Sequence, residues 1–313
     1  MGIAKNAKIK KILFFIVVIS LVSVVLFALL STKQKTAPTE KPLTIVTTLY
    51  PLYDFAKQVG QANVNVVLLL PPGVEPHSFE PKPSDVVKIN EADVFVYTGS
   101  FMEPWAADII AGSDKNLKIV DASVGIEMMK EADHEPGVDP HIWLDFANAK
   151  IIVNNITQAL IAQDPANSTF YQTNAKNYNN QLTELDNHYA KTLATCKSNE
   201  IIYGGHYAFG YLAKKYQLNY TAAQGLAPDA EPTATDLINL VDQIKQNQIA
   251  YVFYEELASP KIAETLANET AAKLLLLNAA HNVSQADMQS NVTFINIMND
   301  NLASLSTGLQ CKL

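Results

Sequence analysis

The chain has 313 residues, 48% of them hydrophobic and 17% charged, with a formal charge of −8 from 31 acids and 23 bases. Every base is a lysine, and residues 43–313 hold 16 of them against 30 acids, a net −14. Such a chain buries a real core and is not disordered; so acidic a body is a poor partner for nucleic acid, and with 12 glycines and no Walker-type loop it has no phosphate cradle.

Residues 1–11 form a basic tail with Lys5, Lys8, Lys10 and Lys11. Residues 12–30, ILFFIVVISLVSVVLFALL, carry no charge and are long enough to cross a bilayer. The lysines ahead of them favour a cytoplasmic N-terminus. No good small-x-small cleavage site follows, so a retained anchor is the expectation and a cleaved signal the alternative. Either one exports the body. No cysteine near this segment offers a lipid-anchor site. Residues 31–42 read as a polar tether.

Beyond the tether, apolar runs alternate with helix-length segments. Runs 43–49, 65–70, 93–99 and 117–122 are predicted strands of one lobe, residues 43–163. Runs 200–205, 219–222, 249–254 and 273–278 are predicted strands of a second, residues 196–313. Several are apolar on both faces, which suits parallel sheets covered by helices on each side. Between the lobes, residues 164–195 read as one long backbone helix. Asp164 suits its cap and Pro165 its first turn. Tyr171, Ala175, Tyr178, Leu182, Leu185, Tyr189 and Leu193 recur at steps of three or four along one stripe. The fold expected is α/β: two similar lobes joined by a rigid helix.

Two cysteines, Cys196 and Cys311, are too far apart for a metal or redox pair motif. In an exported protein they point to a disulfide, with free thiols as the alternative. Six Asn-x-Ser/Thr sites, at Asn155, Asn167, Asn219, Asn268, Asn282 and Asn291, are only mildly above chance in so asparagine-rich a chain and are weak grounds for glycosylation.

Six histidines remain: His77, His134, His141, His188, His206 and His281. His188 reads as a solvated helix residue and His134 as surface loop with room for a metal-collecting role. His77, His206 and His281 each lie just beyond a predicted strand, where ligands of open α/β sheets bind. His141 precedes a helix that Asp145 can cap. With two histidines in each half, a metal site between the lobes is expected.

The runs EPHSFEP (75–81), DPHIWLD (139–145), GGHYAFGYLAKKY (204–216) and YVFYEELASPKIAETLANET (251–270) resemble, in order, the zinc/manganese solute-binding proteins of ABC importers. The resemblance spans about residues 43–310. It implies two α/β lobes on a rigid helix, a metal between them, no enzymatic activity, and delivery to a membrane permease and its ATPase. It maps three metal ligands onto His77, His141 and His206. The family's fourth ligand is usually a carboxylate, and His281 stands in its place, with Asn278, Glu255 and Glu256 as alternatives. Neutral imidazoles suit Zn2+ better than Mn2+, which prefers oxygen. Glu75, Glu80, Asp145, Glu231 and Glu256 are candidates to balance the ion's charge and orient the rings. The body is expected to be monomeric. The other readings are a zinc hydrolase, disfavoured by the lack of HExxH and by a filled fourth position, and a cell-surface adhesin.

Overall fold

The computed structural model describes residues 41–131, 137–226, 228 and 231–312. The basic tail, the anchor at 12–30, the tether up to residue 40 and His134 lie outside the described residues. Among those described, no helix is long and apolar enough to cross a membrane.

The first half runs β1 (Leu43–Thr47), α1 (Tyr50–Gly60), β2 (Val64–Leu68), α2 (Pro83–Asn90), β3 (Val94–Tyr97), α3 (Ala106–Ala111) and β4 (Lys118–Asp121). A short antiparallel pair follows, β5 (Lys130–Glu131) and β6 (Gly137–Val138), then α4 (Phe146–Gln163) and α5 (Ser168–Leu193). The second half runs β7 (Glu200–Tyr203), α6 (Gly210–Tyr216), β8 (Asn219–Ala222), α7 (Ala234–Gln246), β9 (Tyr251–Tyr254), α8 (Lys261–Thr270), β10 (Lys273–Leu276), α9 (Gln285–Ser290) and α10 (Phe294–Gly308).

Two parallel four-stranded sheets result, ordered β2-β1-β3-β4 and β8-β7-β9-β10. Both follow one rule: the second strand pairs outside the first, and the third and fourth on its other side. Successive side chains of a strand face opposite ways, and both faces are buried. Ile45, Val94 and Val96 enter the main core, while Val46 and Phe95 pack with Leu69, Ile89 and Leu117 on the outer face. In the second sheet, Ile201, Tyr203 and Phe253 enter that same main core, and Ile202 and Val252 pack outward with Leu240, Ile244 and Leu266. The predicted strands are therefore real, but most end early. The last residues of runs such as 43–49 and 273–278 belong to the loops at the sheets' C-terminal edges.

The stripe of α5 is buried at all seven expected positions. It packs on α1 and α4 of the first half and on α10 of the second, so the main core is continuous through both halves. Residues Pro42–Leu313 form one compact unit. The helix begins at Ser168, three residues later than predicted. Asp164 draws in the Asn167 N–H, the Asn167 side-chain amide and the Tyr171 hydroxyl, which winds 165–167 into a tighter turn. His188 is exposed on this helix. Cys196 and Cys311 are disulfide-bonded, tying the end of α5 to the turn after α10.

Candidate metal centre

The loops after β2, β7 and β10, together with the turn before α4, carry His77, His206, His281 and His141 to one place. The Nε2 atoms of His77 and His141 are 3.2 Å apart, and those of His141 and His206 are 3.1 Å apart. A tetrahedral zinc with ~2.0–2.1 Å bonds to nitrogen has edges of roughly 3.3–3.4 Å, so these separations are close to those of a coordination shell. The three rings form one group of potential ligands. His206, Glu255 and His281 form a second group that shares His206. The centroids of the His206 and His281 rings are 5.6 Å apart. All four of these imidazoles therefore converge, with His206 common to both groups.

Each of the two central rings is held from behind by a carboxylate. Asp139 precedes a proline, which favours extended backbone there. Its Oδ1 accepts both the His141 N–H, at 2.9 Å, and the ring's Nδ1, at 2.8 Å. Glu255, one residue past β9, puts Oε2 at 2.9 Å from His206 Nδ1. Its Oε1, which has no hydrogen-bond partner among the described residues, lies 3.8 Å from His281 Nε2. These contacts leave the Nε2 atoms of His141 and His206 facing the common point, the arrangement by which carboxylates fix metal-binding imidazoles.

Burial holds His77, His141 and His281 well below the usual histidine range, and for His77 and His141 the neighbouring imidazoles add to it. Burial acts the same way on His206, but the charge and hydrogen bond of Glu255 outweigh it and hold His206 above that range. Burial pushes Asp139 up to about 7 against the pull of the His141 N–H. Three neutral imidazoles around one ring that readily takes a proton would release that proton to an incoming cation.

Of the other carboxylates read from the sequence, Glu75 belongs here. It accepts the His77 N–H at 3.0 Å, and its charge reaches His206. The structure does not bring the remaining four onto a ring. Glu80 and Glu231 are exposed. Asp145 caps α4 through the Ala147 N–H and pairs with Lys215 at 2.6 Å. Glu256 points into a separate cavity of about 190 Å3 with Asp287, Asn278 and Asn301, and burial pushes it up to about 7. Nearness in sequence to a histidine does not direct a carboxylate onto its ring. Sequence reading left out Asp139, although the Asp-Pro-His triplet carries the local geometry that places it. It counted Glu255 only as a substitute ligand; the structure sets it behind His206.

Two glycines make room for these carboxylates. A Cβ on Gly205 would lie 2.6 Å from Glu255 Oε2, and one on Gly210 would lie 2.6 Å from Asp139 Oδ2. Gly205→Ala is expected to displace Glu255 from His206 and weaken metal binding by about 10–100-fold, as read by competition against a chromophoric chelator. An unchanged affinity would mean that the carboxylate does not orient the ring.

A deep site at the facing loop ends of two α/β sheets, built from nitrogen donors with carboxylates behind them, defines a cation-binding protein. The family described as "Zinc-uptake complex component A periplasmic" (ZnuA) matches residues 45–308, and the chain belongs to it. It is 38% identical over 295 residues to the high-affinity zinc uptake system protein ZnuA of Bacillus subtilis, an alignment covering 90% of this chain and 92% of that protein. It is 37% identical over 293 residues to the zinc-binding lipoprotein AdcA of Streptococcus pneumoniae, covering 90% of this chain and 58% of that longer protein. The Zn(II)-bound ZnuA-like domain of pneumococcal AdcA superposes with a TM-score of 0.76 at 37% identity, over 86% of this chain and 99% of the domain. The laminin-binding protein Lmb of Streptococcus agalactiae, described as bifunctional with adhesin and metal-transporting activity, superposes with a TM-score of 0.78 at 29% identity, over 86% of this chain and all of that one (100%).

Proposed function

We propose that the protein captures Zn2+ outside the cytoplasm and delivers it to an ABC-type permease driven by its ATPase. His77, His141, His206 and His281 are its ligands, and the protein acts as a receptor without enzymatic activity. The observation that carries this reading is the pair of 3.1 and 3.2 Å Nε2 separations, backed by Asp139 and Glu255 on the far ring nitrogens. Nitrogen donors favour Zn2+ over Mn2+. The carboxylates nearest the ring nitrogens face Nδ1 atoms, and with His281 as fourth ligand no position is left for an activated water. The hydrophobic segment 12–30 is read as the anchor that keeps the body at the outer membrane surface. The described adhesin activity of Lmb supports a second reading, in which the same zinc-loaded body also binds an extracellular protein.

The test is metal analysis of the full chain after exposure to equimolar Zn2+ and Mn2+, with X-ray absorption at the zinc edge. One zinc per chain in a shell of about four nitrogens is expected. A shell dominated by oxygen, or a preference for manganese, would overturn the assignment.

A further inference from the structure

The segment carrying His281 belongs to the second half by sequence, yet part of it is bonded to the first. At Leu277 and Asn278 its hydrogen bonds stay within the second half: the Tyr203 hydroxyl donates to the Leu277 carbonyl, and Asn301 exchanges two bonds with the Asn278 backbone. From Ala279 the partners change. Trp143 Nε1 donates to the Ala279 carbonyl at 2.8 Å, and the Tyr50 N–H donates to the His281 carbonyl at 3.2 Å. The Gly73 N–H donates to the Val283 carbonyl at 2.9 Å. The side-chain amide of Asn282 forks, donating to the carbonyls of Pro71 and Val74 at 2.8 Å each.

Pro71 and Val74 lie in the loop between β2 and α2 that carries His77. Its first two residues still follow the sheet, the Leu69 and Leu70 N–H groups donating to the Thr47 and Thr48 carbonyls at 2.8 and 3.3 Å; beyond them the backbone bonds within the loop are short-range turns, from the Val74 N–H to Pro71 and from the Phe79 N–H to Pro76. A loop so sparsely bonded to itself takes its position from what grips it. Asn282 is 1% exposed, its Oδ1 also accepts the Val283 N–H at 2.8 Å, and no room is left for a glycan on its Asn-Val-Ser sequence. Ala280, two residues before it, has φ 58°, a left-handed conformation that alanine adopts only when its surroundings impose it.

We propose that Asn282 is a positioning residue that joins the His77 loop to the His281 loop, so that these two rings keep one spacing whether or not the cation is present. This rests on the reading of both histidines as zinc ligands. The amide's two protons satisfy two carbonyls of the His77 loop, while its own backbone is fixed next to His281. The gain is preorganisation: ordering a loop at the moment of binding costs affinity, and a loop already held spares that cost.

The experiment uses the full chain and two variants, Asn282→Ala, which removes the fork, and Asn282→Asp, which keeps its size and acceptor but turns a carboxylate toward the two carbonyls. Zinc affinity is expected to fall about tenfold or more in both, within the range found when a supporting residue is lost. In the metal-free protein, hydrogen exchange at Gly73 should accelerate at least tenfold while β7 and β9 keep their protection; loss of protection in all three would mark general destabilisation and overturn the proposal. The decisive reading is a cycle with His77→Ala. If Asn282 acts through His77, adding Asn282→Ala to His77→Ala costs much less affinity than it does in the wild type. Equal cost in both backgrounds, or an unchanged Gly73 exchange rate, would overturn the proposal. If either Asn282 variant fails to fold, the other carries the cycle; if both fail, Gly73 exchange in the metal-free wild type decides, protection as strong as in β7 supporting the held loop and free exchange refuting it. A wild type that takes up no zinc would instead refute the underlying site.

Discussion

A His141→Ala protein is expected to lose zinc affinity by more than the about 10–100-fold that removal of a supporting residue costs. His141 sits at the centre of the donor set, its Nε2 within 3.2 Å of His77 Nε2 and 3.1 Å of His206 Nε2. Its removal would take away a proposed ligand and also the partner of Asp139, whose carboxylate is 1% exposed and would be left in a pocket that burial already makes unfavourable to charge. Neither His188, which is exposed on α5, nor Asp139, which is held on the far side of the vacated ring, is placed to take over its position. Chelator competition gives the affinity, and thermal unfolding gives an independent reading. Zinc at a thousand times its Kd stabilises a folded protein by about 4.1 kcal/mol, and the variant should show almost none of that shift at the same zinc concentration. An affinity within tenfold of the wild type would remove His141 from the ligand set.

Much of the fold is legible because burial on both faces leaves an apolar signature. LTIVT and VFVY cannot face water on either side, so they read as parallel strands before any pairing is known. The spacing from Tyr171 to Leu193 defines the buried side of α5 just as directly. The site was partly legible for a different reason. His77, His206 and His281 follow strands, and loops at strand ends of α/β sheets converge. What did not show was direction. Glu80 lies three residues from His77 and Asp145 four from His141, nearly as close as Asp139 at two, and only rotamer and backbone turn decide which carboxylate reaches a ring. Nor did anything in NAAHNVS reveal that Asn282 would reach back over 200 residues to Pro71 and Val74. Such long-range polar contacts have no periodicity to announce them.

The second large effect concerns stability and should leave the site intact. Opening the Cys196–Cys311 bridge by a double serine substitution is expected to destabilise the protein by up to roughly 4–5 kcal/mol, the chain-entropy value for a loop of about this length. The bridge joins residues 115 apart in sequence, so its main action is on the unfolded chain. The folded ends are held by other bonds as well. Lys197 and Ser198 both donate N–H groups to the Leu309 carbonyl, at 3.1 and 3.2 Å, and Lys312 donates to the Thr195 carbonyl at 3.4 Å. The native geometry is therefore expected to survive without the sulfur link, and none of Asp139, Glu255 or Asn282 lies on the joined segments. For a unit of this size the unfolding midpoint should drop by on the order of 10 °C, while zinc affinity at 25 °C stays within a few-fold of the wild type. Denaturant titration separates the causes. A more expanded unfolded chain exposes more surface and raises the m-value, whereas native-state damage would lower the midpoint without raising m. An unchanged midpoint would mean that the polar contacts around Leu309 already supply the restraint attributed to the bridge.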